Sequence, residues 1–553
     1  MIRIGNASGF YGDRFAAVEE MLTGGELDFL TGDYLAELTM LILGRDRMKD
    51  PNRGYARTFL SQLETGLGLA MDKRVRLVTN AGGLNPAGLA QAIRELAERL
   101  GIAVRVSHVE GDDLLHQGFD GALTANAYLG CWGIVECLNA GADVVVTGRV
   151  TDASLVVGPA AAHFGWGRTD FDALAGATVA GHVIECGTQA TGGNFAFFTE
   201  VADLTHPGFP IAELDASGDA VITKHPGTGG TVTVDTVKAQ LLYEIGGPRY
   251  LGPDVTSRFD TIHLEQRGPD RVAITGTRGE TPPEAVKVCV NTLDGFRNSM
   301  TFVLCGLDID EKAALVRRQL TGAVGADGLH WTLARTDHED ADTEEAASAL
   351  LHVTIKTPDP KRAKAFSRAS VELALGSYPG ATLTSPPGDG TPVGVYRPEY
   401  VPQQSIEQVA VLPDGERRAV DPPAATGTPQ GEIHHEEPEH TPGPTRRAPL
   451  GTVVGARSGD KGGDANLGVW VRDPAAYPWL AAELTVDRLR GLLPEAKDLD
   501  IERHPLPNLH AINFVLHGLL GQGVAASTRF DPQAKSLGEW LRSRHVDIPE
   551  ALL

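Results

Sequence analysis

Acidic, amide and cationic side chains recur in this sequence directly after short runs of β-branched residues. The clearest cases are Ile2-Arg3-Ile4-Gly5-Asn6-Ala7-Ser8-Gly9, Val75-Arg76-Leu77-Val78-Thr79-Asn80-Ala81-Gly82-Gly83 and Asp143-Val144-Val145-Val146-Thr147-Gly148-Arg149-Val150-Thr151-Asp152. Arg149 offers a planar fork suited to a carboxylate or phosphate, and Asp152, three residues on, suits a general base or an orienting group. The alternative is a structural Arg–Asp pair with Asp152 capping the next helix. Asn80 can hydrogen-bond a carbonyl or carboxylate. Gly82 and Gly83 let backbone N–H groups approach an anion at a helix start, or they merely permit a tight turn. Asn6 and Ser8 occupy the first of these turns, and Gly32-Asp33 belongs to the same rim unless Asp33 is only a helix cap.

Later segments add further candidates. In His182-Val183-Ile184-Glu185-Cys186 through Gly193-Asn194, Glu185 is a candidate acid–base group and Asn194 a candidate ligand contact. Residues 179–184 read as a strand, which would turn Glu185 and Cys186 to opposite faces. Cys186 is then a nucleophile or, more commonly, a buried thiol. Lys224 precedes the glycine-rich His225-Pro226-Gly227-Thr228-Gly229-Gly230 turn. Arg457-Ser458-Gly459-Asp460-Lys461-Gly462-Gly463-Asp464-Ala465-Asn466 reads as a loop longer than a hairpin needs, with Arg457 and Lys461 flanking an anion-binding nest or standing in solvent. His504, Asn508 and Asn513 are candidates to face that loop. No stretch carries the dinucleotide fingerprint or a P-loop, and no metal site is expected from the spacing of His, Cys and acidic residues.

Positioning these groups falls to alternating strands and helices over residues 1–180. That pattern implies βαβ units, a parallel sheet and ligands beyond the carboxyl ends of its strands. A helix is expected over 122–140, and 231–234 reads as a strand. Residues 181–414 read as a mixed α/β part, and 415–448, with its 432–445 low-complexity run, as a solvated linker. Residues 450–553 read as a small α+β domain of β-β-α-β-β-α order.

A chain of 553 residues is too long for one core, so several domains are expected. The net charge of −23 argues against a general nucleic-acid or anionic-membrane binder. No apolar run reaches membrane-spanning length, and the N-terminal segment lacks a signal peptide's apolar core. Five scattered cysteines without a CxxC fit a reduced, cytoplasmic setting.

Taken in order, the turns around Asn6, Asn80, Arg149 and Lys224 and the Arg457–Asp464 segment resemble the acyclic terpene utilisation AtuA family over nearly the whole chain. The resemblance implies an AtuA domain over 1–448 and a ferredoxin-like domain over 450–553. It further implies a role in catabolism of citronellol- and geraniol-type terpenes through CoA thioesters. The expectation is an enzyme acting on a branched acyl-CoA or carboxylate by a lyase- or hydratase-type step. Asp33, Asp152 or Glu185 would move the proton, no cofactor would be needed, and the partner would be a small-molecule substrate, with a homo-oligomer left open. The alternative is a non-catalytic subunit or scaffold of an acyl-CoA carboxylase pathway.

Overall fold

The computed structural model describes residues 1–428, 431 and 433–553; Glu432, at the start of the low-complexity run, lies outside the described residues. Five parallel strands form the centre of an eleven-stranded sheet, in the order Ile2–Asn6, Phe29–Gly32, Arg76–Thr79, Val144–Thr147 and Val106–Glu110. Runs such as Val144-Val145-Val146 are buried on both faces, as a strand covered by helices on either side requires. The register sets Asn6 beside Thr31, Gly32 beside Thr79 and Val109 beside Thr147, so the carboxyl ends lie level. Antiparallel strands widen the sheet on both sides. Among them is Arg417–Val420, paired to Gln408–Val411 within the stretch read as linker.

Helices Ala17–Gly24, Arg57–Lys73 and Pro86–Leu100 cover one face, burying Leu22, Leu63, Leu67, Ile93 and Leu96. Trp132–Asn139, Ser154–Phe164 and Phe171–Ile184 cover the other with Ile134, Val157, Leu174 and Val183. Three local expectations are corrected. Residues 179–184 are the end of a helix, not a strand; that helix is buried nearly all round, so no polar stripe reveals its period. The expected helix over 122–140 starts only at Trp132, because Thr124–Ala127 pairs with Val288–Asn291 as a strand. The expected strand over 231–234 instead leads into the helix Val234–Leu241, which Thr233 caps by accepting from the Thr236 amide.

The chain forms two compact units. The first holds residues 1–291, 396–524 and 533–553. In the second, 292–395 with 525–532, the helices Ile309–Val324 and Pro360–Glu372 share a core of Phe302, Val316, Leu320, Leu351, Val353 and Phe366 with an antiparallel sheet. Among the described residues no helix is long and apolar enough to cross a membrane.

The C-terminal part is a four-stranded antiparallel sheet with the short helices Tyr477–Glu483, Val486–Leu492 and Leu537–Ser543. The glycine-rich 457–466 segment is not a long loop. It is the paired strands Val454–Lys461 and Asp464–Val471, turning at Gly462-Gly463. Its glycines serve close approach instead: a Cβ on Gly459 would lie 2.3 Å from the Tyr243 ring, and one on Gly468 would lie 2.4 Å from Leu242 Cβ. Amide side chains fasten this contact. The Glu244 N–H donates to Asn466 Oδ1 (2.7 Å), and Asn513 Nδ2 donates to the Gly246 carbonyl (2.6 Å). Asn508 donates to the carbonyls of Phe259 and Ile262 at 2.9 and 2.8 Å.

Asn466 and Asn513, both fully buried, also bond to each other. Asn513→Ala therefore strands the Asn466 amide and the Gly246 carbonyl in a dry interface. A loss of about 1–3 kcal/mol is expected in urea denaturation.

Candidate functional site

The level strand ends bring the polar turns together. Asn80 Nδ2 donates to Asp33 Oδ1 at 2.6 Å, while its own carbonyl oxygen accepts from the Tyr34 amide at 2.8 Å. Arg149 is 2% exposed and donates to Asp152 Oδ1 at 2.7 Å and to the Leu35 carbonyl at 3.2 Å. Its guanidinium lies 4.1 Å from the centre of the Tyr128 ring, which faces Lys287 at 4.8 Å on the same ring. Lys287 pairs with Glu37 at 3.0 Å, and the Tyr128 hydroxyl donates to the same carboxylate oxygen at 2.9 Å. The backbone beside Arg149 is fixed by Asp112, which accepts from the Arg149 N–H and from Asn126, both at 2.8 Å.

Glu185 follows the last turn of Phe171–Ile184 and is 7% exposed. Asn6 sets its position by donating to the Ile184 and Glu185 carbonyls at 2.7 and 2.9 Å. One carboxyl oxygen faces His182 Nδ1 at 3.1 Å, and the other has no partner among the described residues. His182 lies against the Tyr250 and Phe259 rings. From the C-terminal hairpin, Lys461 Nζ donates to the Glu244 carbonyl at 3.1 Å. Arg457 covers the Tyr243 ring and donates to the Asn194 carbonyl at 2.6 Å. Glu244 sits at φ +59°, a left-handed backbone that its two hairpin partners hold in place.

The charges divide by environment. Burial alone would raise the Glu37 carboxyl, but Lys287 and Arg149 overcome it and hold Glu37 well below the usual carboxylate range. Asp33 and Glu185 are driven well above that range, first by burial and then by the charge of Asp152. Asp152 is itself raised by burial despite Arg149. Burial and then Asp460 push Glu244 up to about 7; burial and then Glu37 push Asp460 up to about 6. Burial brings His182 down to about 4, and burial with the Lys287 charge brings Lys461 down to about 8. Lys287 and Arg149 thus favour the charged form of Glu37, while burial and the charge of Asp152 favour the protonated forms of Asp33 and Glu185, and burial favours the neutral imidazole of His182.

These groups are desolvated by the protein around them, yet several keep accessible surface. The side chains of Asp152 and Glu37 are each 24% exposed and that of Lys287 is 30% exposed, while Lys461 is exposed. Desolvation with residual accessibility marks side chains that line an internal recess rather than a dry core.

Of the residues singled out from sequence, Asp33, Asn80, Arg149, Asp152, Glu185, Arg457 and Lys461 are drawn into this neighbourhood. Others meet the protein's own groups. Lys224 donates to the Thr228 carbonyl at 2.7 Å and pairs with Asp270 at 3.1 Å. Ser8 donates to the Phe10 carbonyl (3.0 Å), and the Asn194 backbone only accepts from Arg457. A Cβ on Gly82 would lie 2.4 Å from the Thr147 carbonyl oxygen, and the Gly83 N–H donates to the Asn80 carbonyl, so both glycines are used in packing the turn. Glu37, Tyr128, Glu244 and Lys287 escaped the sequence reading. Glu37 stands four residues beyond Asp33 on the same rim and was within reach; Lys287, in a strand of ordinary composition, carried no local signal.

Sequence comparison agrees with this architecture. Residues 2–412 match the model of the acyclic terpene utilisation family protein AtuA, and residues 448–547 match that of the AtuA ferredoxin-like domain. The chain belongs to the AtuA family. No curated protein matches it. The family is implicated in acyclic terpene utilisation, and the N-terminal parallel sheet and ferredoxin-like C-terminal domain are the parts from which the recess is assembled.

A carboxyl raised by folding stabilises the protein below its unfolded pKa, and that stability is lost as pH rises through the folded value. For Glu244 the window runs from about 4.5 to about 7. Stability should fall between pH 5 and 7, with a contribution from Glu244 on the order of 1–3 kcal/mol. Glu244→Gln, which cannot ionise, should flatten that slope in urea denaturation at pH 5, 6 and 7.

Proposed function

We propose that the protein is an enzyme acting on a branched, acyclic acyl-CoA or carboxylate by a lyase- or hydratase-type step. The observation that carries this reading is Glu185: a buried carboxyl, pushed toward its protonated form, with one oxygen unpartnered among the described residues and within the field of Arg149. An acid poised to give up a proton, next to fixed positive charge, is what addition to an α,β-unsaturated acyl group calls for.

In the hydration direction, water attacks the β-carbon as a base takes its proton. The electron pair of the double bond moves toward the carbonyl, whose oxygen becomes enolate-like. Arg149 and Lys287 stabilise that charge, and a proton from Glu185 at the α-carbon completes the addition. Glu244 and Asp152 are the candidate bases, Glu244 having a pKa close to neutrality. The step breaks the C=C π bond and one O–H bond of water, forms one C–O and one C–H bond, and calls for no redox cofactor. The unpaired cysteines fit action in a reducing, cytoplasmic setting.

The test exploits the charge state of Glu185. Burial favours the protonated form of this carboxyl, and Glu185→Gln preserves the shape of that form while removing the transferable proton. Turnover of branched α,β-unsaturated acyl-CoA thioesters, followed by loss of the conjugated absorbance, should fall about 10²–10⁴-fold with an unchanged melting temperature. Equal turnover by the variant and the parent protein refutes the assignment.

A further inference from the structure

The recess contains two lysines in different circumstances. Lys287 is pinned by Glu37 at 3.0 Å and lies against the Tyr128 and Tyr396 rings, which keeps it charged. Lys461 has no carboxylate within ion-pairing distance among the described residues; its recorded contact is the Glu244 backbone carbonyl at 3.1 Å. Around its shank the chain is pared back. The place a Gly246 Cβ would occupy is 3.6 Å from Lys461 Cε, and Gly462, at φ +66°, turns the strand immediately afterwards. Glu244, whose left-handed backbone presents the carbonyl that Lys461 binds, also acts on Lys461 through its carboxyl, and Asp460 acts in turn on Glu244.

We propose that Lys461 is a nucleophilic amine that captures a ketone or aldehyde carbonyl of the substrate as a Schiff base. This deepens the reading of the recess as a substrate site, on which it rests, and narrows the substrate to a branched carbonyl compound. The Tyr396 ring links the two lysines, lying 5.5 Å from Lys287 Nζ and, at Cε1, 2.7 Å from the place a Cβ on Gly462, the residue after Lys461, would occupy. An amine near a second, fixed cation and without its own counter-ion is readily freed of its proton, the usual route to a reactive lysine. The pKa near 8 accords with this arrangement.

The step balances without an external oxidant or reductant. The Nζ lone pair forms a C–N bond to the carbonyl carbon while the C=O π pair moves to oxygen, which takes a proton from the Glu244 carboxyl. Protonation of the resulting hydroxyl and cleavage of the C–O bond release water and leave a protonated imine. One ammonium and one carbonyl thus give one iminium and one water. The iminium then accepts the electron pair of a bond to the α-carbon, which suits a lyase.

The full-length protein, incubated with 4-methylpentan-2-one and sodium cyanoborohydride and then digested, should carry an adduct on Lys461 with the mass of the ketone less one oxygen. Labelling of Lys461 should exceed that of any other lysine about tenfold. In Lys461→Arg, checked for an unchanged melting temperature, that adduct should be absent while Lys287 stays unmodified. No adduct on the parent protein, labelling spread evenly over lysines, or capture at Lys287 would overturn the proposal. Thioester turnover measured in parallel separates the two readings. Turnover without capture sinks the Schiff base alone; capture without turnover sinks the thioester reading alone.

Discussion

The buried guanidinium of Arg149 is the constraint around which the recess is arranged. A charge 2% exposed is tolerable only where carboxylates, carbonyls or rings replace its water, and Asp152, the Leu35 carbonyl and the Tyr128 face do so. In turn Arg149 lets acidic groups gather at the strand ends, because it acts on Asp33, Glu37, Asp152 and Glu185 together. One cation cannot neutralise four carboxylates. With Lys287 committed to Glu37, burial and the excess of negative charge push Asp33 and Glu185 toward their protonated forms. Their raised pKa values are therefore a consequence of burial and of crowded negative charge rather than of any single hydrogen bond.

The parallel sheet supplies only part of this surface. The remainder comes from the hairpin Val454–Lys461 and Asp464–Val471, where alternation turns Arg457, Gly459 and Lys461 toward the N-terminal part and leaves Ser458 to bond the Ala534 carbonyl on the opposite side. Glycine at 459 and 468 brings the two backbones close enough for Asn466 and Asn513 to bind main-chain groups of 244–246 directly. The same contacts that dock the ferredoxin-like domain hold Glu244 in its unusual conformation. Docking of this domain and the placement of Glu244 thus rest on the same contacts.

Much of this was legible in the sequence, for identifiable reasons. Short apolar runs leading into Asn80, Arg149 or Asp33 mark parallel strands, and the level register makes their turns neighbours. Helix Phe171–Ile184 was misread because it is apolar on every side, so neither period stands out. The 457–466 segment was misread because glycines that permit sheet-on-backbone contact look, in one dimension, like glycines of a turn. Glu244 and Lys287 have no local signature, since their significance arises from partners such as Asn466 and Glu37 that are distant in the chain. The tight turns at Gly82-Gly83 and His225–Gly230 show the converse: polar, glycine-rich sequence whose hydrogen bonds close on the protein itself.

Hydrogen–deuterium exchange with and without a saturating branched acyl-CoA thioester bears most directly on whether strand ends and hairpin form a single ligand chamber. The account predicts joint protection of peptides spanning 30–37, 147–153, 243–248 and 456–463, with the rest of the sheet unchanged. Protection confined to one of these segments, or located elsewhere in the molecule, would contradict it.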